Sequence, residues 1–166
     1  MKFFVAVATI CAISLALGGA AQAGSVSDWH HDIDEIVKDV QAIHPNPFFR
    51  TGRLTFLRRA EELKANIPRL TEEQRVVGAM QLIALIGDTH TQLEPDRPDF
   101  ALWYPIRIYE FTDGYFVTAA HKSEAELAGA RVLEVAGQSV VSVVQNARSL
   151  MGADNTFWSQ GIPVRI

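Results

Sequence analysis

The hydrophobic periodicity of the chain changes near residue 100, and this change limits the folds that are open to it. From Trp29 to Ile43 the apolar residues fall at i, i+4, i+7 and i+8, which is the pattern of one buried helix face. Beyond residue 100, stretches rich in aromatic and β-branched residues predict strands at 102–109 and 115–119. Helices followed by a small β-rich part predict an α+β fold.

Three helices joined by short links predict a small bundle in residues 24–99. Ser27 is the expected cap of the first helix, and the prolines of residues 44–47 end it. The third helix starts at a capping box formed by Thr71 and Gln74. The apolar face of the second helix consists of Leu54, Leu57, Ala60 and Leu63. Its solvated face carries the arginines Arg50, Arg53, Arg58 and Arg59.

Residues 100–166 predict a compact β-rich module. Asp113-Gly114 lies between the first two strands and is a strong hairpin signal. Residues 131–135 alternate between apolar and polar and predict one further strand, turned back at Gly137-Gln138. A closing helix is predicted from the apolar residues at helical spacing, Val141, Val144, Ala147 and Leu150.

The first 23 residues have the three parts of a secretory signal peptide. Lys2 precedes an uncharged apolar run at 3–17, and Ala21-Gln22-Ala23 supplies an A-x-A cleavage site. The run is shorter than the roughly 20 residues that a membrane span needs. We therefore expect an exported protein, periplasmic or secreted, with no stable membrane span after cleavage. The alternative is an uncleaved amino-terminal anchor.

Composition excludes several kinds of site. Cys11 is the single cysteine and lies in the predicted signal peptide. The mature chain would therefore contain no thiol nucleophile and no thiolate metal site. A net charge of −4 gives no basic footprint for nucleic acid, and no nucleic-acid partner is expected. His30, His31 and His44 could be considered as zinc ligands, but adjacent histidines point to different helix faces and no acidic residue has a ligand spacing to them. We therefore expect neither a metal nor a cofactor.

A polar cluster follows the third helix and contains the best candidate for chemistry. The helix is expected to stop at Gly87, and Asp88, Thr89, His90 and Thr91 come next. His90 can act as a general base near neutral pH, and the neighbouring carboxylate of Asp88 could raise its basicity. The alternative is a local turn, in which the cluster makes hydrogen bonds to its own backbone.

Three segments resemble the tricorn-like branch of the tail-specific (C-terminal-processing) serine proteases. LIGDTHTQL at 85–93 is similar to the LGDxHT segment of that branch. IHPNPFF at 43–49 resembles the family's amino-terminal helical region, and GARVLEVAGQSV at 129–140 resembles its PDZ-like pattern G-x-x-V-L-x-I-x-G-x-x-V. Asp154-Asn155 is also in keeping with the family.

The resemblance implies a peptidase that acts on peptide or protein substrates, with His90 as its general base. It also implies a PDZ-like module after the helical part. Another branch of the family uses a serine–lysine pair, in which this histidine would not have the same role. LIGDTHT favours the histidine branch.

The family's nucleophilic serine lies in an α/β domain that follows the PDZ-like module, and the sequence carries no G-x-S-x-G elbow. The serines that are present fit poorly as substitutes: Ser25, Ser27, Ser139, Ser142 and Ser149. We therefore expect an amino-terminal fragment that is inactive alone, because a base without a nucleophile and oxyanion donors does not cleave peptides. The face left by the missing domain would favour self-association.

Two alternatives stay open. The chain could be a non-catalytic peptide-binding or scaffolding protein that adds an extended peptide to a sheet edge of the PDZ-like module. It could also be the product of a truncated gene with no dedicated function.

Overall fold

The computed structural model describes residues 24–95 and 105–155. Its helices come first and its strands follow, so the predicted α+β class is confirmed. The helical part contains α1 (Val26–Ile43), α2 (Arg53–Asn66), a 3-10 helix (Ile67–Arg69) and α3 (Glu72–Ala84). The rest contains β1 (Ile106–Phe111), β2 (Gly114–Ala120), a 3-10 segment (Lys122–Leu127), β3 (Arg131–Val132), β4 (Glu134–Val135), β5 (Gln138–Ser139) and α4 (Val140–Arg148). The predicted leader lies outside the described residues.

Helix α1 is capped by Ser25, so the predicted cap at Ser27 is wrong. The Ser25 hydroxyl accepts the Asp28 backbone N–H at 3.1 Å, and the Asp28 carboxylate accepts the Ser25 N–H at 3.1 Å. This reciprocal pair needs an acidic side chain three residues after the cap, which Ser25 has in Asp28. The helix ends at Ile43, before the predicted proline stop, so that prediction is confirmed.

Helix α3 begins as the sequence predicts. The Thr71 hydroxyl accepts the Gln74 N–H at 3.3 Å, and the Gln74 side chain accepts the Thr71 N–H at 3.0 Å. Two donors that the helix leaves unpaired are thereby satisfied.

The three helices share one hydrophobic core, in which Ile33, Phe56 and Ile67 are completely buried. Burying a side chain of this size contributes roughly 1.5–3 kcal/mol. The inward face of α2 is formed by Phe56 and Ala60, which are one turn apart. Leu54 is 81% exposed, so its predicted place on the buried face is wrong, because it precedes Phe56 by two residues and lies on another face.

The β-rich part is built on the predicted hairpin. Strands β1 and β2 pair antiparallel, with Phe111 opposite Gly114, so the loop is the two residues Thr112 and Asp113. Strand β3 pairs with the other edge of β2, which gives the order β1-β2-β3. The predicted strand start at residue 102 falls outside the described residues.

Residues 131–135 form two separate strands instead of the single one predicted. Strand β3 pairs with β2, whereas β4 pairs with β5 in a second small sheet. The turn between β4 and β5 lies at Ala136 and Gly137, one residue earlier than predicted, with φ of 50° and 77°. A two-residue hairpin loop of this kind needs positive φ at both positions.

Helix α4 closes the module over the sheet. Val140 and Val144 are buried in a second core together with Ile108 and Tyr115. The predicted closing helix is thus present, although Val141 is 47% exposed, because the buried i, i+4 pair begins one residue earlier, at Val140. No helix among residues 24–95 and 105–155 is both long and apolar enough to cross a bilayer.

Candidate functional site

Three segments that are distant in sequence meet beside the end of α3. His44 follows α1, residues 87–91 follow α3, and Asp154 lies beyond α4. They border a surface depression of about 220 Å³. Its lining consists of His44, Asn46, Phe49, Arg50, Ile86, Gly87, Asp88 and Asp154. Of the polar cluster singled out in the sequence, Asp88 lines this depression, whereas Thr89, His90 and Thr91 are not among its lining residues.

Helix α3 ends at Ala84 and is capped by Leu85, so the predicted stop at Gly87 is three residues too late. Gly87 donates its N–H to the Ala84 carbonyl at 3.0 Å, and its φ is +76°, a conformation that glycine adopts without steric cost. A Cβ at this position would lie 2.8 Å from Cγ of Arg50. Glycine at this position therefore turns the chain in the loop after the helix and lets the Arg50 side chain lie against it.

The Asp88 carboxylate is the centre of the site. Its Oδ1 accepts the His90 backbone N–H at 2.7 Å, and its Oδ2 accepts the Thr91 hydroxyl at 2.8 Å and bonds Nε2 of His44 at 3.0 Å. These bonds, led by the one from the His90 backbone, lower the pKa of Asp88 from 3.8 to about 2. Asp88 is therefore an ionised anchor at neutral pH and not a proton donor.

His44 uses both of its ring nitrogens. Nδ1 accepts the backbone N–H of Asn46 at 3.1 Å, which leaves the proton of the neutral ring on Nε2, facing Asp88. The imidazole is 19% exposed. This contact joins the end of α1 to the loop after α3.

His90 lies on the surface beside this anchor. His90 is exposed, and its imidazole has no hydrogen-bond partner among the described residues. The carboxylate of Asp88 bonds the backbone of His90 and the ring of His44. It makes no hydrogen bond to the His90 ring, so the predicted support of that ring by Asp88 is wrong. The local turn that the sequence left as an alternative is present.

The segment after α4 is seated on the same loop. The Thr89 hydroxyl bonds the Asp154 carboxylate, and the Asp154 N–H donates to the Thr89 hydroxyl oxygen at 3.2 Å. Gly152 is buried, and a Cβ there would lie 2.5 Å from the Asp88 carbonyl oxygen. The guanidinium of Arg50 donates to the Asp154 carbonyl oxygen, and both residues line the depression.

Sequence reasoning identified the loop but not everything that surrounds it. It placed Arg50 on the solvated face of the second helix, whereas Arg50 precedes α2 and lines the depression. It gave no role to His44, although the IHPNPFF segment contains it. A polar residue at a helix stop is the one local signal that could have singled it out.

The hydroxyls of Ser25, Ser123, Ser139 and Ser149 bond backbone groups or side chains other than His90. Ser25 and Ser139 cap α1 and α4, and the Ser149 hydroxyl donates to the Asn146 carbonyl at 2.6 Å. Ser123 contacts Nδ1 of His121 at 3.1 Å, but the same nitrogen accepts the Ser123 N–H at 3.3 Å, as a helix cap does. Within the described ranges, His90 has no hydrogen-bonded serine.

Residues 24–95 and 105–155 contain no group of three or more histidine, cysteine, aspartate or glutamate side chains placed to hold a metal ion. No protein-family model, curated protein or solved structure matches the chain. What can be inferred about function therefore comes from the residues and their geometry.

Proposed function

We propose that the chain supplies the amino-terminal part of an exported serine peptidase of the tail-specific/tricorn-like type, with His90 as the general base. In this proposal residues 24–99 are a three-helix domain and residues 100–166 a PDZ-like domain. The family's nucleophile domain would follow them, and the chain alone would be inactive. Its substrate would be a peptide or a protein.

The observation that carries the proposal is the contrast between the anchored Asp88 and the open ring of His90. A general base must reach a proton on another molecule or domain, so it needs an accessible nitrogen with an unshared electron pair. The His90 ring is exposed and has no hydrogen-bond partner among the described residues, while the Asp88 carboxylate holds the His90 backbone at 2.7 Å. Within the described part of the chain the imidazole is thus unpaired, while its main chain is fixed.

The fold supports the modular part of the proposal. The helices share one core, and the β-rich part has a second core between its sheet and α4. An antiparallel sheet covered by one helix is compatible with a PDZ-like module.

A peptide hydrolysis assay tests the proposal. It uses the product of the complete coding sequence, including any in-frame continuation beyond codon 166. We expect cleavage of an unstructured peptide, and a loss of kcat of about 10²–10⁴-fold in His90→Ala. His31→Ala is the matched control, since His31 is also exposed but lies on α1. Equal activity of His90→Ala and wild type would contradict the role of His90. Robust hydrolysis by residues 24–166 alone would contradict the missing nucleophile domain.

Export is tested separately. If residues 1–23 form a signal peptide, the exported protein begins at Gly24, and its intact mass lacks the leader. An exported protein that still carries Met1 would indicate the uncleaved anchor.

A second candidate function is peptide binding without cleavage. Strand β1 has β2 on one side and, among the described residues, no strand on the other. Tyr109 and Phe111 on β1 are 42% and 47% exposed. An extended peptide could add to this edge as a further strand. Saturable binding of peptides with free carboxy termini, without turnover, would favour this candidate, and no binding across a diverse peptide library would count against it.

A further inference from the structure

We infer that His44 is a positioning residue, which holds Asp88 so that Asp88 in turn fixes the backbone of His90. The inference rests on the proposed function, since it concerns the residue proposed as the base. The hydrogen bonds of the His44 ring go to Asp88 and to the Asn46 backbone, and among the described residues none goes to the His90 ring. The action of His44 passes through the carboxylate.

The first step is the fixed tautomer of His44. A backbone N–H can only donate, so Nδ1, which faces the Asn46 N–H at 3.1 Å, is the acceptor. The neutral ring therefore carries its hydrogen on Nε2 and donates it to Asp88 at 3.0 Å. The ring acts as a bridge between the backbone after α1 and the carboxylate after α3.

The second step is the transfer of that constraint to His90. The two oxygens of one carboxylate are rigidly linked, so a bond that fixes Oδ2 also orients Oδ1. His44 and Thr91 hold Oδ2, and Oδ1 receives the His90 backbone N–H at 2.7 Å. Without His44, Thr91 alone would hold Oδ2, and the carboxylate could rotate away from the His90 amide.

The same geometry argues against His44 as the base. A base needs a nitrogen lone pair directed at the proton that it removes. In His44 the only lone pair of the ring is occupied by the Asn46 N–H, and the other nitrogen faces a carboxylate. His44 lines the depression, yet it has no free nitrogen to offer to a ligand there.

Two substitutions separate the two contacts of His44. The side-chain oxygen of asparagine takes the position of Nδ1, so His44→Asn keeps an acceptor for the Asn46 N–H and loses the bond to Asp88. The amide nitrogen of glutamine takes the position of Nε2, so His44→Gln keeps a donor for Asp88 and loses the Asn46 contact. The two variants are therefore matched controls for each other.

Amide hydrogen exchange of the full chain, resolved at His90 by NMR, is the measurement. The exchange rate of His90 is compared with that of core amides of α3, such as Leu82, so that a change in global stability is subtracted. We expect His44→Asn to accelerate exchange at His90 by roughly tenfold relative to Leu82, and His44→Gln by less than about threefold. Equal acceleration in both variants, or none in either, would overturn the inference.

Nitrogen-15 chemical shifts of the His44 ring in the wild-type chain give a second test that needs no variant. We expect a protonated Nε2 and an unprotonated Nδ1 at neutral pH. The opposite tautomer would overturn the inference even if neither variant folds. Both measurements work without enzymatic activity, so a failed peptidase assay with an intact exchange pattern would count against the proposed function alone.

Discussion

Nε2 of His44 lies 3.0 Å from the carboxylate of Asp88, and this contact joins two residues that are 44 positions apart in the chain. Asp88 also holds the His90 backbone and the Thr91 hydroxyl. A carboxylate with three hydrogen bonds fixes the loop after α3 against the end of α1, and it leaves the ring of His90 exposed.

Replacement of Asp88 by asparagine is expected to destabilise the fold. An asparagine side chain has one acceptor oxygen and no charge, so it cannot reproduce all three bonds. Since Asp88 is 29% exposed, we expect a loss of about 1–2 kcal/mol in the free energy of unfolding. Urea denaturation followed by circular dichroism measures it. Asp32→Asn, on the exposed side of α1, is the control and should change stability by less than about 0.5 kcal/mol.

The low pKa of Asp88 gives the fold a specific dependence on pH. In the folded chain the pKa of Asp88 is about 2, below its ordinary value of 3.8. The folded state therefore binds its proton less readily than the unfolded state, and the stabilisation is complete above about pH 5. It is lost as the pH falls through 4 towards about 2, by at most about 2 kcal/mol.

Asp28, Glu35 and Glu110 also have lowered pKa values, so they contribute to the same pH dependence of stability. Comparison with Asp88→Asn separates the contribution of Asp88 from theirs. The difference in unfolding free energy between wild type and Asp88→Asn should shrink as the pH falls below 4. A difference that stays constant from pH 7 to pH 2.5 would mean that Asp88 is not held as an ionised anchor.

Gly152 tests whether the segment after α4 is seated on the Asp88 loop. A Cβ there would lie 2.5 Å from the Asp88 carbonyl oxygen and 2.9 Å from its amide nitrogen, so Gly152→Ala must displace backbone. We expect a loss of about 1–3 kcal/mol, measured by thermal or urea denaturation. Gly52→Ala is the control, because a Cβ at Gly52 would meet nothing within 4 Å. Equal stability of the two variants would show that the segment does not pack there.

The helical core is tested by a pair of substitutions on α2. Phe56 is completely buried, and its ring lies 5.7 Å from that of Phe48. Phe56→Ala should cost about 3–5 kcal/mol. Leu54→Ala, at a residue that is 81% exposed, should cost less than about 0.5 kcal/mol. A reversed order of the two effects would place the core on the other face of α2.

Local sequence signals predicted the elements well where a single physical rule decides. The box of Thr71 and Gln74, the stop before the prolines and the Asp113-Gly114 hairpin each depend on a few adjacent residues. Predictions were wrong where neighbouring positions competed, as with Ser25 against Ser27 for the α1 cap. In such cases a shift of one or two residues changes the helix face or the turn.

The site was harder to predict because its contacts join distant segments. The cluster after Gly87 could be recognised from its sequence, and His90 could be chosen as the candidate base. Nothing in the spacing of the chain links residue 44 to residue 88, or Gly152 to the Asp88 backbone. Those contacts are decided by how α1, α3 and the segment after α4 pack, which periodicity does not specify.

The most direct test of the central claim is whether His90 activates a serine nucleophile. A fluorophosphonate probe reacts with serine hydroxyls that a neighbouring base activates, and mass spectrometry identifies the labelled residue. The product of the complete coding sequence should be labelled at one serine. The rate of labelling should be about 10²–10⁴ times lower in His90→Ala and unchanged in His31→Ala. Labelling at the same rate in His90→Ala, or no labelled serine at all, would contradict the account.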